Sequence, residues 1–171
     1  MTQRTLGEFL GAYQAPRIST RITTRADLLA TVERLAARIE ALPRSEALNS
    51  ERSKLQAELE AAVAMVRGSE FEFEFQALSH GEYDRLVAAC PPRPSQAELG
   101  LKWDPDRFPY ELIARCAINP TLTVEQVTEL CDTLSDSQFQ KLWTCAAAVN
   151  IGDDSAPKVV TSSATEDPDE T

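Results

Sequence analysis

Histidine is almost missing from this chain: His80 is the only one in 171 residues. Four cysteines occur, Cys90, Cys116, Cys131 and Cys145, but no Cys-x-x-Cys, so the ligand spacing of a zinc site is absent. Six glycines are present, and none builds a phosphate-binding loop or a nucleophile elbow. No run approaches the ~18 apolar residues that span a bilayer, and no apolar secretion signal opens the chain. These gaps argue against zinc, nucleotide and membrane-spanning classes. The expectation is a soluble cytosolic protein with no cofactor and no membrane partner.

Charge of one sign is also scarce where it would matter for nucleic acid. The net charge is -10. Residues 1–23 carry three basic and one acidic side chain, and residues 24–67 carry seven of each. Residues 68–150 carry six basic against thirteen acidic, and the remainder one against six. An acidic C-terminal two-thirds repels phosphate backbones, so nucleic acid is not an expected partner. A basic protein surface fits better.

What the chain does hold is ordinary globular material, 43% hydrophobic and 26% charged. Residues 1–23 form an N-terminal arm whose segment "RISTRIT" alternates weakly. From Thr24, an N-cap candidate with Asp27 three residues on, Leu28, Val32, Leu35, Ile39 and Leu42 recur at intervals of 4, 3, 4 and 3. Pro43 ends that stripe. A second one, Leu55, Leu59, Ala62 and Val66, closes at Gly68, a position where a left-handed residue is expected. Two arms of about 20 residues, each ~30 Å long, predict a helical hairpin or short coiled coil over residues 24–68.

Residues 69–78 read "SEFEFEFQAL". Alternation places Phe71, Phe73 and Phe75 on one face of a strand and Glu70, Glu72 and Glu74 on the other. One strand makes no sheet, and the internal candidate to pair with residues 69–77 is residues 17–23. The acidic face then points to solvent or protects an edge open to a partner strand. Beyond it, "LSHGEY", "LTVEQV" and "LSDSQF" each read as a capping box with a hydrophobic staple, led by Ser79, Thr123 and Ser135. "FPYELIARCAINP" gives one further helix between prolines. The predicted fold is mainly α: hairpin, small β element, compact C-terminal four-helix domain over 69–150, and a disordered acidic tail from 151 to 171.

Candidate chemistry is thin. His80 sits in the first turn of a capped helix, about 15 Å by rise from Cys90, too far for a nucleophile–base pair. Asp104 and Asp106 in "WDPD" read as turn formers, and no EF-hand spacing accompanies them. The four thiols fall on apolar helical positions and read as small buried groups. Catalysis is not expected.

Four stretches in order, "ATVERLAARIEAL", "FEFEFQALSHGEYDRLVAACPP", "WDPDRFPYELIARCAINP" and "LSDSQFQKLWTCAAAVN", resemble the tail assembly chaperones of long-tailed phages that infect actinobacteria. The likeness covers residues 24–150. Family members often carry His where this chain has Cys90. The resemblance implies binding of the tape measure protein, which the chaperone keeps soluble, and recruitment of the tail tube protein. It also implies work in the host cell cytoplasm, absence from the mature virion, and a longer frameshifted form, for which codons at Pro157-Lys158 are a candidate site. Leu28, Val32, Leu35, Ile39, Leu55 and Leu59, with Glu70, Glu72 and Glu74, are the candidate partner-binding residues, and self-association is a further expectation. The alternative is a virion structural protein, a tail or connector subunit retained in the particle.

Overall fold

In a computed structural model of the chain, residues 4–152 are described. Strand β1 (Arg17–Thr23) pairs antiparallel with β2 (Glu70–Gln76) in a register that sets Ile18 opposite Phe75, Thr20 opposite Phe73 and Ile22 opposite Phe71. The expected pairing across the hairpin is present. A third strand that the sequence did not signal, β3 (Ala117–Asn119), joins the other side of β2 at Glu74 and Phe75. It ends at Asn119, just before Pro120.

The hairpin leaves the sheet at the Thr23/Glu70 end. The Thr23 and Ser69 hydroxyls meet at 2.7 Å, and the Thr24 amide donates to the Ser69 carbonyl at 3.0 Å. Thr24 is therefore spent on joining the two arms and is not an N-cap. The first arm instead opens with a short 3-10 turn at Ala26–Leu28, where Asp27 pairs with Arg25 at 2.9 Å. Helix α2 follows over Leu29–Ala41, shorter than the expected arm, and α3 occupies Asn49–Gly68. At the tip, Arg52 donates to the carbonyls of Leu42 (2.7 Å) and Ile39 (3.4 Å), which closes the C-terminus of α2. Gly68 does not adopt the expected left-handed conformation. Ser69 does that work, its amide and hydroxyl both bonding to the Val66 carbonyl so that α3 runs straight into β2.

Helices α4 (His80–Ala89), α6 (Phe108–Cys116), α7 (Val124–Thr133) and α8 (Asp136–Ile151) follow the strand, and the short α5 (Pro94–Glu98) lies in the link between α4 and α6. The capping boxes at Ser79, Thr123 and Ser135 form with both bonds present. A fourth box, Thr5 with Glu8, starts α1 (Leu6–Ala12) in the N-terminal arm. Helix α8 includes Ile151, one residue into the expected tail; the rest of that expectation, and Pro157-Lys158, lie outside the described residues.

The core forms between the sheet and these helices. Phe75, Phe108, Leu112, Ile113, Val127 and Leu142 are fully enclosed. Trp103 anchors the link between α4 and α6, stacking on Phe108 with centroids 4.5 Å apart and meeting Trp143 edge-on at 5.9 Å. Asn150 fastens the end of α8: its carbonyl oxygen accepts from the Leu78 amide at 2.8 Å, and its amide donates to Cys116 Sγ at 2.9 Å.

The three phenylalanines have different fates. Phe75 is 0% exposed and Phe73 8%, whereas Phe71 is 62% exposed, so the aromatic face of the strand is core at two positions and open at the third. Phe71 lies at the hairpin end of β2, past the helices that cover the other two. Phe75→Ala is therefore expected to cost ~3–5 kcal/mol and Phe71→Ala under ~1 kcal/mol, as read from denaturant unfolding. Equal costs at the two positions would contradict this division.

Candidate functional site

The exposed Phe71 marks one wall of an apolar groove of about 630 Å³. Ile22 and Phe73 lie beside it on the sheet, while Leu122, Leu130 and Leu134 form the facing wall from α7 and the turns that flank it. β3 stops at Asn119, opposite Glu74, so no strand pairs with the Glu70–Phe73 half of β2 on that side, and Pro120 and Leu122 line the groove beside it. Gln138 closes one end: its oxygen accepts from the Ser135 amide at 3.3 Å, and its amide donates to the Thr23 carbonyl at 3.1 Å. This buried side chain ties α8 to the hairpin end of β1. Glu129 supplies negative charge at the rim. A cleft of this size with few polar groups suits an apolar side-chain row from another segment.

The candidate residues picked from the hairpin lie elsewhere. Leu35 and Leu55 are buried, and Leu28, Val32, Ile39 and Leu59 are half-buried in the seam between α2 and α3. That seam is satisfied within the chain, and these side chains do not reach the groove. Among large apolar groups of the two arms, Leu29 and Met65 are the ones left exposed.

The acidic face of β2 is covered by charge. Ser19 donates to Glu72 at 3.0 Å, Arg17 stands 3.6 Å from Glu74, and Arg21 lies 4.0 Å from both Glu70 and Glu72. These pairs are largely exposed, and each is worth little. β2 is also not an edge strand along its whole length. The bonds from Thr24 to Ser69 and from Ala77 to Pro16 fix the phase of the ladder. Phe71, Phe73 and Phe75 thus turn their backbone toward β1, and the glutamates turn theirs away. β3 meets that side at Glu74 and Phe75, so among the described residues Glu70 and Glu72 face no strand there. The open edge is shorter than the sequence suggested, and it adjoins the groove.

The titratable groups weighed earlier are dispersed. His80 is solvent-exposed and 3.3 Å from Asp84. Asp104 is buried as a turn former: its carboxylate accepts from the Asp106 amide at 3.0 Å, and Arg93 stands 3.7 Å away. Tyr110 and Cys131 share a hydrogen bond at 3.1 Å, which together with burial pushes the phenol up to about 12. Among the described residues no cluster of three or more His, Cys, Asp or Glu is placed to hold a metal ion.

Burial pushes the Cys116 thiol up to about 11, with the Asn150 amide pulling weakly the other way. Burial also raises the thiols of Cys90 and Cys145. A raised thiol pKa means the folded state holds its proton more tightly than the unfolded chain, whose thiols titrate near ~8.5. The contribution is complete below that value and is lost as pH rises toward about 11. Stability is expected to fall through this alkaline window, and Cys116→Ser is expected to flatten the fall. In the folded chain at pH 8, Cys90 and Cys116 should resist a thiol-specific reagent that labels them after unfolding. Rapid labelling of both without unfolding would contradict their enclosure.

No family model, curated protein or solved structure matches the chain.

Proposed function

We propose that this chain is a phage tail assembly chaperone, a binding protein and not an enzyme. Its client is the tape measure protein, which it keeps soluble in the host cytoplasm while the tail tube assembles. The observation that carries the reading is the open apolar groove beside Phe71. A long helical client exposes a row of apolar side chains at positions i, i+3, i+4 and i+7, and such a row aggregates unless it is covered. A groove walled by Phe71, Phe73, Leu122, Leu130 and Leu134 can receive successive members of that row. The acidic balance of residues 68–150 and Glu129 at the rim favours clients whose apolar row is flanked by Lys or Arg. The compact C-terminal helical domain is the body that presents this groove, and the hairpin is a projection from it.

A second reading, a tail or connector subunit retained in the particle, draws support from α1, whose apolar face is uncovered. The two readings differ in where the protein ends up. A chaperone is absent from purified virions by mass spectrometry, and a structural subunit is present in stoichiometric amounts.

Co-expression with the tape measure protein of the same phage tests the proposal. The client is expected to become soluble and to co-purify with this chain. Phe71→Glu, an exchange at an exposed position, is expected to weaken the complex at least tenfold, or ~1.4 kcal/mol, without lowering the melting temperature. A client that stays insoluble with the unaltered chain overturns the proposal; a complex indifferent to Phe71→Glu overturns the groove as its seat.

A further inference from the structure

Helix α1 is ordered by its capping box yet buries none of its residues. Leu6, Phe9, Leu10 and Tyr13 are 72%, 60%, 64% and 58% exposed, and the rings of Phe9 and Tyr13 lie 5.8 Å apart. Spacings of 3, 1 and 3 place them along one side of about two helical turns, with Tyr13 as the C-cap. The chain thus carries an unfilled apolar groove and an unburied apolar helix. They are at opposite ends of the sheet.

The helix does not occupy the groove of its own chain. Pro16 is held at the far end of β1 by the bond from the Ala77 amide to its carbonyl, 2.9 Å. From there the groove at Ile22 and Phe71 lies about 20 Å away, six strand steps of ~3.3 Å. Residues 13–15 extend at most ~10 Å, and half of α1 adds ~5 Å, so the backbone at Phe9 and Leu10 stops short of Phe71. The loop in fact runs beside Arg17 and Gln76, away from the groove.

We infer that α1 of one copy seats in the Phe71 groove of a second copy of this chain. The apolar side of α1 supplies the i, i+3, i+4 row that the groove accepts, and Arg4 just before it can meet Glu129 at the rim. An arm and a socket on opposite ends make a heterologous contact, which builds rings or open arrays unless two copies exchange arms reciprocally. The inference concerns the chain alone and stands whether or not the tape measure protein is its client. If it is, client and α1 compete for one groove, and self-assembly stores the chaperone with its apolar surface covered.

The test uses two exchanges at exposed positions, Phe9→Glu in the arm and Phe71→Glu in the socket, with circular dichroism to confirm that each chain folds. Light scattering of the unaltered chain across a hundredfold concentration range is expected to show mass rising above the 18.8 kDa of one chain. Each exchange is expected to leave a single chain at every concentration. Mixing the two variants is the decisive arm. The Phe71→Glu chain still has an arm and the Phe9→Glu chain still has a socket, so together they should form a species of twice the single-chain mass. A monomeric unaltered chain, association that survives Phe71→Glu (as pairing of α1 with α1 would give), or a mixture that stays monomeric would each overturn the inference.

Discussion

The pairing of β1 with β2 across 46 intervening residues, Thr24 to Ser69, is the constraint on which the rest of this structure depends. Closing so long a loop costs conformational entropy that the ladder alone does not offset, so the strands need help from outside their own backbone. They receive it from three directions. The hairpin packs its own seam between the strand ends, Gln138 fixes the Thr23 carbonyl from α8, and Phe73 and Phe75 bring the helices onto one face of the sheet. Once that register is set, Phe71 falls beyond the helical cover, and the groove is a consequence of the same geometry.

The composition of the groove follows from where the sheet runs out. A continued β3 would have capped the Glu70–Phe73 half of β2 and filled the space before Leu122 and Leu130. The strand ends at Asn119, just before Pro120. Apolar side chains that would be core in a longer sheet are left facing solvent. In a chain whose net charge is -10, such a patch is tolerable for solubility, yet it remains an energetic incentive to bind.

Much of the architecture was legible because local signals were strong. Ser79, Thr123 and Ser135 announced helix starts through the residue three positions on, and alternation at 70–75 announced the central strand. The hairpin seam showed as intervals of 3 and 4. What escaped was decided by tertiary context. Ala117–Asn119 is too short to alternate, and it reads as the end of a helix until β2 lies beside it. Thr24 looked like a cap because the sequence does not reveal that Ser69 stands opposite. The same limit applies to the hairpin seam, whose Leu35 and Leu55 are buried within the chain. Leu35 and Leu55 looked like a surface for a partner because a heptad seam reads alike whether its partner is the next helix or another chain, whereas the groove draws on Ile22, Phe71, Leu122 and Leu130 from segments far apart. Phe71 could have been singled out only by noticing that the strand outruns its cover.

The central claim is that the Phe71 groove is the surface through which this protein binds an apolar helix. The most direct test is to titrate an isotope-labelled chain carrying Phe9→Glu, so that its own arm does not compete, with synthetic helical segments of the tape measure protein while following backbone amide shifts. The largest changes are expected to cluster at Phe71, Phe73, Leu122, Leu130 and Leu134 and to saturate with one segment per chain. Saturable shifts confined to the α2–α3 seam, or no saturable shifts with any segment, would contradict that claim.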